Sequence, residues 1–225
     1  MFEWFSGNSG KSPGLKKMQA EFAQMLESGR HMFDAAANAM LGGTDLQVIR
    51  NDLFETDKRI NQAEQRIRRE IVVHATVHGA SSFPQCLLLM SVVKDAERLG
   101  DYAKNIFDIA EQSGRLPDNE RKRDLISLKD QLSQMLADCR EAFIEQDHNA
   151  AGRLIVQARE FEDHCDSQVE TLLRGNVPEH KEAAIALAYR HFKRIAGHAH
   201  NVLTSIVQPL DKIDFSSEEF GKKKA

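Results

Sequence analysis

Apolar residues recur every three to four positions over runs of about 25–30 residues, and that period commits the chain to long helices. Met18, Phe22, Met25, Met32, Phe33, Ala36 and Met40 share one face of a predicted helix over 15–41. The methionines in it read as core filling rather than as ligands. Gly42-Gly43 stop that helix, and Thr44 or Asp45 caps the next. Leu46, Ile49, Leu53, Ile60, Ala63, Ile67 and Ile71 mark a second helix over 45–78. The stretch Gly79-Ala-Ser-Ser-Phe-Pro84 breaks the chain, and a third helix follows over 84–112 with Pro84 in its first turn.

Residues 114–118 form the clearest boundary. Beyond them Leu125, Leu128, Leu132, Met135, Leu136, Cys139 and Phe143 face inward from a fourth helix over 118–146. Asp147 or His148 starts a fifth that ends near Gly175, and Pro178 opens a sixth that runs to about Leu210. The order is three long helices, a break and three more, an internal repeat of three-helix units. Its clearest register pairs Glu97-Arg-Leu-Gly-Asp-Tyr-Ala-Lys-Asn-Ile106 with Lys193-Arg-Ile-Ala-Gly-His-Ala-His-Asn-Val202, keeping Arg, Ala and Asn in step. The expected fold is all-α, two tandem three-helix bundles over 15–114 and 118–213. A flexible segment at 1–14 and a basic tail at 214–225 flank them. With only 5 Pro and 13 Gly, and few Tyr and Trp, the composition favours helix over sheet.

Several function classes drop out. A net charge of -4 gives no global reason to bind nucleic acid. Cys86, Cys139 and Cys165 form no C-x-x-C pair and suit a reducing compartment as small core residues. No apolar run approaches the ~18–20 residues that span a bilayer, and Met1-Phe-Glu-Trp-Phe5 is too short for a signal peptide. A cytoplasmic protein is therefore expected, unless the chain is the soluble part of a larger membrane protein. Ser6-Gly-Asn-Ser-Gly-Lys-Ser-Pro-Gly14 imitates a phosphate loop, but Phe5 stands where the pattern needs Gly and no strand precedes it. Phe2, Trp4 and Phe5 either dock on the domain, touch a partner or membrane surface, or stay disordered. No Ser/His/Asp order or catalytic Cys signature is present, so no enzyme is expected.

Two carboxylates stand out on the third helix. Glu97 and Asp101 lie at i and i+4, away from the apolar stripe of Leu99, Ala103, Ile106 and Ala110. Like charges at that spacing repel mildly, and a hard metal between them removes the cost. The bland alternative is a solvated, ion-paired face, because Lys94 and Lys104 lie three residues to either side. On the second helix Asp57, Asn61 and Glu64 form a polar row, with Arg59, Arg66 and Arg68 beside it. His74 and His78 have the i, i+4 spacing of a zinc pair, but two ligands alone make a weak site.

Glu97-Arg-Leu-Gly-Asp101-Tyr-Ala-Lys-Asn105-Ile106 resembles the E/D-x-x-x-D signature of the PhoU family of phosphate-uptake regulators. The helical plan over roughly 18–213 fits that family too. The resemblance implies a metal-bearing acidic face in the first bundle, formed by Glu97, Asp101, Asp57, Asn61 and Glu64. Its metal would be a multinuclear iron or zinc cluster, with Asn61 standing where the family has an acid. It also implies docking rather than catalysis. The implied partners are a component of an ABC-type phosphate transporter or another phosphate carrier, and a sensor histidine kinase. The protein would then be peripheral to the membrane through its partner, and a homo-oligomer such as a dimer.

The second half departs from the family pattern. Lys193 and Gly197 replace the two acids, and Glu160 and His164 are expected opposite them on the fifth helix. The second cluster is therefore expected to be absent, or rebuilt by His191, His198 and His200. Two alternatives to the metal-bearing regulator stay open: a metal-free helical interaction module, and a di-iron carboxylate protein using the E-x-x-H from Glu145 to His148.

Overall fold

A computed structural model describes residues 12–175 and 181–213. Among them lie six α-helices: α1 Pro13–Met40, α2 Leu46–His78, α3 Phe83–Ser113, α4 Glu120–Glu145, α5 His148–Leu173 and α6 Glu182–Val207. Short 3-10 turns, Gly79–Ser82 and Leu210–Lys212, follow α2 and α6. No strand occurs among the described residues. Phe2, Trp4, Phe5, Pro178 and the basic tail lie outside them.

The helix ends follow from local chemistry. Ser12 accepts from the Leu15 amide at 3.3 Å and Pro13 opens α1, so helix begins inside the segment expected to be flexible. Asp45, not Thr44, caps α2 through the Gln47 amide at 2.8 Å. Asn119 caps α4, and Asp147 caps α5 by accepting from Asn149 and Ala150. Gly79 and Gly114 end α2 and α3 with φ of 68° and 64°, a region that favours glycine.

Helices α1–α3 pack as one bundle and α4–α6 as a second, and α3 and α1 then meet α6 and α4. The two bundles share one core. Phe33 of α1 meets Phe192 of α6 edge-on with ring centroids 5.1 Å apart, and Phe22 of α1 meets Phe143 of α4 at 4.7 Å. A glycine of α1 lets α3 pack close against it. A Cβ on Gly29 of α1 would meet Leu99 Cβ at 2.8 Å. One on Gly100 would meet Ile60 and Met32 at 3.4 Å. Gly29 is thus the close approach, while a Cβ on Gly100 of the signature would make ordinary contact.

Candidate functional site

The turn at 79–82 folds α3 back antiparallel on α2, and the two polar rows meet. Lys104 Nζ lies 2.9 Å from Asp57 Oδ1 and 3.1 Å from Asp101 Oδ1. Lys94 Nζ lies 2.6 Å from Glu97 Oε2 and 4.0 Å from Glu64 Oε1. Each lysine therefore bridges one carboxylate of α2 and one of α3. Arg68 adds to Glu64 at 2.9 Å and Arg98 to Asp101 at 2.8 Å. Asn61 donates to Asp57 Oδ2 at 3.3 Å. All five expected ligands thus fall along one seam.

That seam differs from the solvated alternative. Glu97 is only 7% exposed and Glu64 only 6%. Asp57 Oδ1, Glu64 Oε1 and Glu97 Oε2 are sealed from solvent, each against a cationic side chain: Lys104, Arg68 and Lys94. Burial raises the Glu97 carboxyl above its usual range; the Lys94 hydrogen bond opposes this, and the Asp101 and Glu64 charges add to it. For Lys104, burial pulls the pKa down, but Asp57 and Asp101 outweigh it and hold it up.

The donors suit iron or zinc in chemistry, being four carboxylates and an amide on neighbouring helix faces. As arranged, the cationic side chains already neutralise them. No three His, Cys, Asp or Glu groups converge on a common point among the described residues. A metal would have to take the places of Lys94 and Lys104.

In the second half, Lys193 pairs with Asp166, and His200 Nδ1 lies 3.3 Å from Glu162 Oε1. The Glu162 carboxylate fills the notch left by Gly197, 3.6 Å from where a Cβ would stand. The expectation that Glu160 and His164 face α6 is therefore corrected. The α5 residues opposite Lys193 and Gly197 are Asp166 and Glu162, while Glu160 and His164 turn toward α4. The three histidines do not rebuild a cluster. His191 and His198 lie on either side of Tyr102, both at 5.6 Å, and His200 faces α5. Glu145 closes α4 and His148 opens α5, so the E-x-x-H pair shares no helix.

Two polar clusters went unpredicted. At the α3/α6 contact, buried Asp95 accepts from Asn201 Nδ2 at 2.9 Å and lies 2.8 Å from His198 Nδ1. Arg194 Nε donates to the Tyr102 hydroxyl at 2.9 Å. Tyr102 and His198 are register mates in the internal repeat, so the two signature stretches pack on each other. An acid beside Val92 and Ala96 in an apolar stripe was the legible signal. In the second bundle, the buried Tyr189 hydroxyl donates to Asp124 Oδ2 at 2.8 Å, and His164 Nε2 lies 3.1 Å from the same oxygen. Burial, with Asp124 beside it, pushes the Tyr189 phenol up. Burial likewise pushes the Cys139 and Cys165 thiols up to about 12, which leaves them unreactive. The His74 and His78 rings lie tilted with centroids 4.2 Å apart and Ser12 Oγ is 3.2 Å from His74; no three-ligand set forms there among the described residues.

Fold and seam together define an all-helical protein of two like halves, one of which keeps an E-x-x-x-D row on its buried edge. The chain belongs to the PhoU family: the PhoU domain pattern matches residues 22–110 and again 125–206. A phosphate-specific transport system accessory protein PhoU homolog of Synechocystis is 28% identical over 158 residues, covering 67% of this chain and 69% of the relative. The crystal structure of PhoU from Pseudomonas aeruginosa superposes with a TM-score of 0.69 at 22% identity, over 86% of this chain and 95% of that one. The phosphate transport system regulatory protein PhoU from Streptococcus pneumoniae gives 0.72 at 17% identity, over 85% and 92%. At those identities the two structures show the shared fold. No described helix is long and apolar enough to cross a membrane.

Proposed function

We propose that this chain regulates phosphate uptake by docking on a component of a phosphate transporter, without catalysing a reaction. The carrying observation is the match of the family pattern to both halves of the chain. The Synechocystis relative is named as an accessory protein of phosphate-specific transport, which supports the same role. The protein acts in the cytoplasm, peripheral to the membrane through its partner, as a homo-oligomer, with a sensor histidine kinase as a second partner. Residues 15–114 and 118–213 serve as its two docking units. Capture of the tagged full chain from phosphate-replete and phosphate-starved cells tests this. A phosphate transporter component should be enriched over a mock capture. Absence of any such component in both conditions contradicts the reading.

The sealed oxygens of Asp57, Glu64 and Glu97 favour a second, finer reading: the seam takes iron or zinc in place of Lys94 and Lys104. Elemental analysis of protein purified without a His-tag tests it. Metal should be present in the parent and lost in the Glu97→Gln, Asp101→Asn double variant. A parent that stays free of iron and zinc under every loading condition reduces the seam to a structural ion-pair network and leaves a metal-free docking module.

A further inference from the structure

The α2/α3 hairpin carries no Asp, Glu, Lys or Arg from Ile71 to Val93, in a chain where 28% of residues are charged. Its core side is accounted for, since Ile71, Cys86, Leu88 and Leu89 are buried. Its outer side is apolar as well. Val72, Val73 and Val77 near the end of α2, and Phe83 and Leu87 at the start of α3, are between 47% and 72% exposed. Val73 and Val77 lie about one helical turn apart, as do Phe83 and Leu87, on either side of the 79–82 turn. Phe83 and Leu87 also line an open groove of about 390 Å³ with Ala80, His148, Pro209 and Leu210. Leu210 is itself half-exposed. Single apolar residues on a surface are ordinary, but several around one charge-free tip mark a binding face.

Helix α1 begins at this same end. Ser12 Oγ lies 3.2 Å from His74 Nε2, and a Cβ on Gly14 would stand 3.1 Å from the same ring. Toward its N-terminus α1 runs along α2 in antiparallel register: Glu21 meets Arg66, Lys17 meets Glu70, and Ser12 meets His74. The next turn of α2 bears Val77, and beyond it come the 79–82 turn and Phe83. Residues 1–11 are thus tethered beside the apolar tip. Their composition suits it. Phe2, Trp4 and Phe5 are aromatic, and Glu3 and Lys11 are the only charged side chains among them. Ser6-Gly-Asn-Ser-Gly10 separates the aromatics from α1. A Gly/Ser-rich spacer of about eight residues, the separation of Trp4 from Ser12, averages about 15 Å end to end. From His74 to His78 is only about 6 Å along α2. The chain beyond Ile213 also starts near the groove, but Asp214, Glu218, Glu219 and Lys222-Lys-Lys224 would bring charge onto a charge-free tip.

We propose that residues 1–11 fold over the α2/α3 tip and seat Phe2, Trp4 and Phe5 on Val77, Phe83 and Leu87. The contact removes apolar surface of both the rings and the tip from water. Tethering through Ser12 makes the docking intramolecular, so a modest contact suffices to hold it. The contact lies within one chain and stands or falls apart from the regulatory reading above.

The test reads Trp4, the single tryptophan of the sequence, in the full chain at low concentration without lipid. Its emission should be blue-shifted from that of a synthetic peptide of residues 1–11, and acrylamide should quench it at least about threefold less. Val77→Glu with Leu87→Glu should return both readings to those of the peptide. Val48→Glu, near the opposite end of α2, should leave them unchanged. Should the double variant not fold, removal of residues 2–11 from the chain takes its place and should raise the binding of an apolar dye at least about twofold. Peptide-like readings from Trp4 in the parent overturn the proposal. So does shielding that survives Val77→Glu with Leu87→Glu, or dye binding that removal of the segment leaves unchanged. Shielding that grows with protein concentration gives the tip to a second copy. Shielding that appears only with phosphatidylglycerol vesicles gives it to a lipid surface. Either of these results overturns docking within the chain.

Discussion

Lys104 holds apart two carboxylates that would otherwise face each other near the protein interior. Lys104→Ala leaves Asp57 and Asp101 without their shared cation, and the expected loss is about 1–2 kcal/mol in metal-free protein. Thermal melting with and without added zinc checks it. Zinc should recover more of the Tm in this variant than it adds to the parent, because a cation is then missing. Unchanged stability in the variant would mean that solvent already screens the pair. A second prediction concerns His191. Burial lowers its pKa below the model-peptide value of 6.5, with the Arg190 and Arg194 charges adding to the shift. The unfolded chain therefore binds the extra proton more readily. Stability is full above about pH 6.5 and is lost as pH falls from there through the folded value. His191→Gln should flatten the drop in Tm between pH 7.5 and 5.5; an unchanged slope would count against this assignment.

Glycine has opposite consequences on two helices. Gly29→Ala drives a Cβ into Leu99 where α1 and α3 cross, and should cost about 1–3 kcal/mol. Gly152→Ala on α5 meets nothing within 4 Å and should gain about 0.5–1 kcal/mol from helix propensity. Chemical denaturation of both variants checks the pair, and equal effects would contradict the packing described. The helices themselves were legible because apolar period, caps and Gly breaks all agree: Asp45, Asp147, Gly79 and Gly114 each act as their type suggests. The α2 and α3 acid rows were legible for the same reason, since the periodicity that buries Ile60 and Leu99 sets the rows at the edge. What escaped was inter-helix register. Helical spacing places Glu160 and Glu162 on different faces without saying which face meets α6. Nor does it reveal that Glu97 is buried where α3 packs on α2.

The two halves melt together if the core is shared as described. Phe33 and Phe192 join the bundles, and Phe192→Ala should cost about 3–5 kcal/mol while keeping a single transition. Two separate transitions in the parent, followed by calorimetry, would contradict the shared core. Ion pairs lace α1 to α2 in the first half, whereas α4 and α5 of the second half make the sparser contact. Regulation of phosphate uptake is the central claim, and the rate of labelled phosphate uptake tests it most directly. Cells lacking this chain should keep taking up phosphate rapidly in phosphate-rich medium, and restoring the parent should slow uptake again. Identical uptake rates with and without the chain, in both rich and starved media, would contradict the account.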